Sequence, residues 1–279
     1  MKEKTIANNL IVDGIGLHSG RRASVEFVPS SCGYIYFNDK NDPKKQLKAL
    51  FSNVVDTNLG TTIANVEMKV LTIEHLMAAL WACDINSLEI RIDGTEIPIL
   101  DGSSFKFIEK IKSVGITWIE KDRKYLLIKK EVMISEDDKF IKISPSDSFS
   151  IDMKVQYDYG SIGEQHLLFS GQKDDFINEI SKARTFCREK DIENMRSMGL
   201  IKGGSLDNSI VFDENRPINE TGLRYKDEVV RHKILDCVGD LYSCGFDIIG
   251  KIEAYKSGHT LDNQLVRKIF SDNHNYLIR

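Results

Sequence analysis

Apolar and polar residues alternate over residues 22–29 (Arg-Ala-Ser-Val-Glu-Phe-Val-Pro), the period-two pattern of a strand with one buried face. Residues 34–37 (Tyr-Ile-Tyr-Phe) and 87–92 (Ser-Leu-Glu-Ile-Arg-Ile) predict two more strands. Between them Leu71, Ile73, Leu76, Met77 and Leu80 recur at helical spacing, which predicts a helix over 71–82 with Thr72 as its N-cap. A turn-rich segment, 96–104, leads to a second helix over 105–114. The charged run Ile119-Glu-Lys-Asp-Arg-Lys124 is the expected boundary between an N-terminal unit, 1–120, and a C-terminal unit, 124–279. The second unit repeats the mixture. Strands are expected near 125–134, 139–144 and 149–157, helices near 173–182 and 226–243, a strand near 248–255 and a helix over 261–270. Strands and helices mix without regular βαβ alternation, so the expected class is α+β.

Composition narrows the function more than the fold. At 41% apolar and 29% charged residues the chain has an ordinary globular balance and can bury a sizeable core. A net charge of -4 gives no sign of the basic face that nucleic acid requires, so no nucleic-acid partner is expected. No apolar run approaches the roughly 18–20 residues that cross a bilayer. The polar N-terminus carries no secretory leader pattern. Cys32, Cys83, Cys187, Cys237 and Cys244 are scattered without CxxC pairing, which fits reduced thiols and a cytoplasmic location.

Two segments hold candidate chemistry. In Arg231-His232-Lys-Ile-Leu-Asp236-Cys-Val-Gly-Asp240, His232 and Asp236 stand one helical turn apart, with Asp240 a turn further. Val230, Ile234, Val238 and Leu241 mark a second, buried stripe. The spacing suits metal ligands, as the paired histidines of HExxH do, but taken alone it favours a buried His–Asp hydrogen bond. In Thr72-Ile-Glu74-His75-Leu-Met-Ala-Ala-Leu80, a Glu precedes a His at a helix N-terminus, where the dipole favours a carboxylate. That pair reads as base and ligand, or as a capping carboxylate beside a packed histidine. His259 lies beside Gly258 at an expected strand end. His18 sits in the glycine-rich Gly14-Ile-Gly-Leu-His18-Ser-Gly20, a loop suited to a phosphate or simply to a hairpin turn. It is not a GxGxxG fingerprint, so a Rossmann site is excluded.

These segments, with Ile97-Pro-Ile-Leu-Asp-Gly-Ser103, Ala183-Arg-Thr-Phe186, Gly203-Gly-Ser-Leu-Asp207, Gly222-Leu-Arg-Tyr-Lys-Asp-Glu228, Gly239-Asp-Leu-Tyr242 and Tyr255-Lys-Ser-Gly-His259, run in order across nearly the whole chain. Together they resemble the UDP-3-O-acyl-N-acetylglucosamine deacetylase family of lipid A biosynthesis. The resemblance implies two α+β domains of related topology, with helices layered between two sheets and the active site at the domain interface. It implies zinc, or iron(II) in the cell, on His75, His232 and Asp236, an open three-ligand set. Glu74 would be the general base, His259 the acid, Asp240 the residue that keeps His259 charged, and Thr185 an oxyanion donor. Lys233 would face the polar part of the substrate and Phe186 would offer an apolar contact. An insert over about 188–213 would form a passage for the acyl chain, with Ile192, Ile201, Ser205 and Val211 on its walls. Asp191 and Lys256 fall to the UDP end, and His18 joins the substrate contacts.

The substrate implied is UDP-3-O-acyl-N-acetylglucosamine, and the chain is expected to act as a monomer. Two departures stand out. Cys187 and Arg188 follow Phe186 where the family often has Gly and an aromatic residue. Asp84-Ile-Asn-Ser87 replaces Gly-Ile-Asp-Asn, so Asp84 or Asn86 must take the left-handed position that ends the helix. The competing readings are another zinc amide hydrolase and a non-catalytic UDP-sugar-binding protein. The latter should have lost Glu74, a ligand or His259, and all are present.

Overall fold

The computed structural model describes residues 1–158, 160 and 162–279. In chain order the first half gives β1 (Lys2–Ile6), β2 (Leu10–Ile15), β3 (Arg22–Pro29), β4 (Ile35–Asp39), β5 (Gln46–Lys48), β6 (Val54–Asp56), β7 (Thr62–Ala64), β8 (Lys69–Val70), α1 (Glu74–Ala82), β9 (Leu88–Asp93), α2 (Phe105–Ser113) and β10 (Ile116–Asp122). One five-stranded sheet runs β2-β3-β9-β4-β5. Its pairs are antiparallel except β4 with β9. β3 follows its sequence pattern: Ala23, Val25 and Phe27 are buried while their neighbours reach solvent or the sheet margin.

The second half gives β11 (Tyr125–Ile128), β12 (Val132–Glu136), β13 (Lys139–Ser144), β14 (Ser150–Gln156), β15 (Glu164–Phe169), α3 (Lys173–Asp175), β16 (Phe186–Arg188), α4 (Ile192–Ser197), β17 (Ile210–Phe212), α5 (Glu228–Tyr242), β18 (Asp247–Ile249), β19 (Lys251–Tyr255), α6 (His259–Phe270) and β20 (Tyr276–Ile278). A second five-stranded sheet runs β12-β13-β19-β14-β15, again antiparallel except β14 with β19. The two sheets share one topology: two hairpins, with the last strand inserted between them. A parallel pair needs a long crossover. α1 lies in the crossover from β4 to β9, and α5 in that from β14 to β19. These two equivalent helices pack against each other.

Burial explains why they do. Every residue of α1 is buried, and all but Arg231 of α5. α1 is apolar beyond Glu74 and His75, and such a helix must be enclosed. One apolar cluster joins Phe27 and Phe37 of the first sheet, Leu76 and Leu80 of α1, Ile234 and Leu235 of α5, and Ile141 and Ile252 of the second sheet. The α+β class holds, with helices between two sheets. Among the described residues no helix is long and apolar enough to cross a membrane.

Several local expectations are corrected. Thr72 is not an N-cap: it has φ 59°, and its hydroxyl donates to Glu96 Oε1 at 3.2 Å. α1 therefore begins at Glu74 without a side-chain cap. Asp84, at φ 62°, takes the left-handed position past the end of α1, as expected. The charged run at 119–124 is largely strand: β10 pairs antiparallel with β1 through Lys4 and Trp118. The expected strands 125–134 and 248–255 each divide, because β11 and β18 pair in a small sheet of their own while β12 and β19 join the large one. The helix expected at 173–182 is one α-turn that passes into a π-helical turn, Phe176–Ile180.

Candidate active site

The α1–α5 contact assembles the chemistry. α1 supplies Glu74 and His75 at its first two positions, and α5 supplies His232 and Asp236 one turn apart. One ligand atom each from His75, His232 and Asp236 lies within 4.8 Å of the others. Asp236 Oδ1 stands 3.5 Å from His75 Nε2 and 3.3 Å from His232 Nε2. That oxygen is buried and has no hydrogen-bond partner among the described residues. Such an orphan is costly unless something positive meets it. His232 Nδ1–H donates to the Ala183 carbonyl at 3.0 Å, which turns Nε2 toward Asp236. Burial pushes the His232 pKa down to about 3, so the ring is neutral, as a ligand must be. Two imidazole nitrogens and one carboxylate oxygen fit a divalent metal.

Proton-handling groups surround this set. Burial raises the Glu74 pKa above its ordinary value, and the Thr61 N–H donates to its Oε2 at 2.8 Å. His259 is the first residue of α6, rather than a strand-end residue, and its Nδ1 meets Asp240 Oδ2 at 2.7 Å. Burial works against a charge on His259, yet the charge and hydrogen bond of Asp240 carry its pKa up to about 10. It is therefore an imidazolium at neutral pH. Lys233 Nζ donates to Asp236 Oδ2 at 3.0 Å. Burial opposes its charge as well, but Asp236 holds it above the usual lysine range.

Two pockets meet here. A polar one of about 530 Å³ carries His232, Lys233, Asp236 and His259 on its wall, with Asp191 and Lys256 further out. Glu74 and His75 lie beneath that surface, 3% and 4% exposed. An apolar cavity of about 240 Å³ is walled by Ile192, Ile201, Ser205 and Val211, all expected there from sequence. Leu59, Thr185, Phe186, Cys187 and Met195 line both. Thr185 stands at this junction, and its hydroxyl has no protein partner among the described residues. Phe186 packs edge-on to His232, with ring centroids 6.1 Å apart.

Other expected contacts sit differently. Asp191 is tied to Arg188 at 2.5 Å, and Lys256 to Asp138 at 2.6 Å. His18 lines the apolar cavity, with Nε2 3.1 Å from the Leu59 carbonyl. Its loop does cradle an anion, but one from the protein itself: the His18 and Ser19 N–H groups donate to the Glu96 carboxylate at 2.7 and 2.8 Å. The loop is the hairpin turn between β2 and β3, and these two N–H groups are already taken, so the phosphate alternative falls. The sequence reading missed Thr61, Leu59, Tyr157 and Met195. Only Tyr157, an aromatic just past the end of β14, carried a local signal.

The fold and the donor set define a class: an α+β protein with a metal-type His-His-Asp group beside a buried glutamate and a histidine–aspartate pair, an arrangement suited to a metal-dependent hydrolase. Within that class the chain belongs to the UDP-3-O-acyl N-acetylglycosamine deacetylase family, whose model matches residues 3–271. It is 40% identical over 279 residues to the UDP-3-O-acyl-N-acetylglucosamine deacetylase of Haemophilus influenzae (strain PittEE), covering 98% of this chain and 91% of that protein. The like-named proteins of Histophilus somni (strain 129Pt) and Campylobacter fetus subsp. fetus (strain 82-40) are 41% and 37% identical. They cover 98% and 99% of this chain, and 91% and 94% of their own lengths.

Proposed function

We propose that this chain hydrolyses the acetamido group of UDP-3-O-acyl-N-acetylglucosamine, releasing acetate and the free amine for lipid A formation. The observation that carries the reading is the junction of the two pockets. A polar pocket beside a His-His-Asp group shares Thr185, Phe186 and Met195 on its wall with an apolar cavity. One substrate with a charged nucleotide-sugar and an acyl chain suits both. Lys139, Lys233 and Lys256 on the polar wall suit a diphosphate.

His75, His232 and Asp236 would hold zinc, with iron(II) the alternative that metal analysis of cell-loaded protein decides. Held there, the ion would supply Lewis acidity to a water and to an amide carbonyl. Glu74 takes the proton of the attacking water as its oxygen bonds to the carbonyl carbon. The Thr185 hydroxyl donates to the oxygen on which negative charge develops. His259 gives its proton to the nitrogen as the C–N bond breaks, and Asp240 stabilises the charged form from which it does so. Lys233 orients the polar part of the substrate, and Phe186 packs beside the reacting group.

The division into units 1–120 and 124–279 belongs to the same reading. Glu74 and His75 precede it with His18, Leu59 and Thr61, while His232, Asp236, Asp240 and His259 follow. A site complete within one chain supports action as a monomer. Five free cysteines support a reducing, cytoplasmic setting.

The test is incubation of metal-loaded protein with UDP-3-O-acyl-N-acetylglucosamine, following acetate by mass spectrometry with and without a chelator. Stoichiometric, chelator-sensitive acetate release is expected. No release by loaded protein would refute the reading.

A further inference from the structure

The segment Leu59-Gly60-Thr61 leads into β7 beside the first turn of α1. Its backbone is unusual: Leu59 has φ 57° and Gly60 φ 153°. The left-handed region is costly for Leu and persists only where surrounding contacts impose it. Those contacts belong to the site. A side chain on Gly60 would place its Cβ 3.0 Å from Glu74 Oε1. The Thr61 N–H donates to Glu74 Oε2 at 2.8 Å. The Thr61 hydroxyl donates to Asp240 Oδ1 at 2.5 Å, across 179 positions of sequence. Asp240 Oδ2 in turn meets His259 Nδ1 at 2.7 Å.

One residue, 2% exposed, thus touches the carboxylate read as the base and the carboxylate that holds the histidine read as the acid. We propose that Thr61 is a positioning residue that fixes Glu74 through its main chain and the Asp240–His259 pair through its hydroxyl. The inference rests on the reading of Glu74 and His259 as base and acid. The physical need is clear. The terminal torsion of an Asp is broad, so one hydrogen bond does not fix the carboxylate plane. Among the described residues, Thr61 and His259 supply the two hydrogen bonds of the Asp240 carboxylate. With Oδ1 held by Thr61, Oδ2 aims at Nδ1 and the opposite ring nitrogen turns to the pocket. Without the hydroxyl, Oδ1 is a buried charged oxygen lacking its donor, and the carboxylate reorients to recover one.

The main-chain arm survives any substitution except proline, so the variants below isolate the hydroxyl arm. Thr61→Val, Thr61→Ala and Thr61→Ser are measured in the metal-loaded enzyme with UDP-3-O-acyl-N-acetylglucosamine, beside Glu74→Gln and His259→Ala. Metal content and melting temperature are recorded for each. Thr61→Val and Thr61→Ala should lower kcat roughly tenfold, the scale of one hydrogen bond to a charged group, with KM and metal content unchanged. Thr61→Ser should restore most of kcat. In an Asp240→Ala background, Thr61→Val should cost nothing further, because the two act as a unit. If Val does not fold, the smaller Ala carries the test. Unchanged kcat in both, a loss that Ser does not restore, or losses that multiply with Asp240→Ala would overturn the inference. Should Glu74→Gln and His259→Ala stay fully active, the base and acid reading itself falls. If both are impaired while Thr61→Val is not, this inference alone falls.

Discussion

Gly239 of α5 lies against the backbone of Glu74 in α1: a Cβ at position 239 would stand 2.0 Å from the Glu74 carbonyl oxygen. The two central helices are therefore in backbone contact beside the candidate base. Gly239→Ala should push α1 and α5 apart and move Glu74 and His75 relative to His232 and Asp236. Overpacking of this kind costs about 1–3 kcal/mol. A lower melting temperature together with weaker metal retention is the expected outcome. Unchanged values of both would mean that the helices tolerate a wider spacing.

Ligands and base are separable by substitution. His232→Ala and Asp236→Ala should lose bound metal, because each removes a member of the three-residue group. Glu74→Gln should keep the metal and lose rate by about 10²–10⁴, the scale of general-base catalysis. Metal analysis of the purified variants checks both. Full metal content with intact activity in His232→Ala would sink the ligand assignment.

The pH profile of kcat/KM should be bell-shaped. Glu74 must be ionised, and burial raises its pKa, so the acidic limb should lie above the ordinary carboxylate range. His259 must be protonated, and Asp240 raises its pKa to about 10, so activity should fall only in strong alkali. Asp240→Asn removes that charge and should move the basic limb acidward by more than a unit, toward the ordinary histidine value of ~6.5. A basic limb that stays in place would point to a different acid.

Ile201 lines the apolar cavity beside Ile192 and Val211. Ile201→Trp should fill part of that space. It should hurt long-chain substrates more than short ones, since each buried CH₂ is worth about 0.8 kcal/mol. Equal losses for all chain lengths would remove this segment from the acyl site.

Away from the site, Asp84 takes ion pairs from Lys4 at 3.1 Å, from Arg123 at 2.8 Å and from Lys173. Burial opposes its charge, but Lys173 and Arg123 hold its carboxyl well below the usual range. A lowered folded pKa stabilises at pH values above the unfolded value of ~3.9, and the contribution fades as pH falls below it. Asp84→Asn, which tolerates the left-handed backbone, should lower the melting temperature at pH 7. The gap from wild type should begin to narrow below about pH 4 and go on narrowing as the pH falls further. A gap that does not narrow at all on acidification below about pH 4 would assign the loss to packing instead.

The sequence by itself determined what is local and periodic. Alternation placed β3 and β9, and helical spacing placed α1 and α5. The four-residue interval set His232 and Asp236 on one face, since that geometry is fixed by the helix itself. The order of short motifs was enough to suggest the family, and with it the walls of the apolar cavity. The tertiary structure alone decided what depends on pairing at a distance. Charges at 119–124 marked the expected boundary between units without showing that the chain there pairs with β1, because an exposed strand has no composition of its own. The N–H groups of the His18 loop were free in sequence and are taken by Glu96, 77 and 78 positions away. Thr61 had no pattern to mark it. Its weight comes from one main-chain and one side-chain hydrogen bond, which exist only once α1 and α5 lie together.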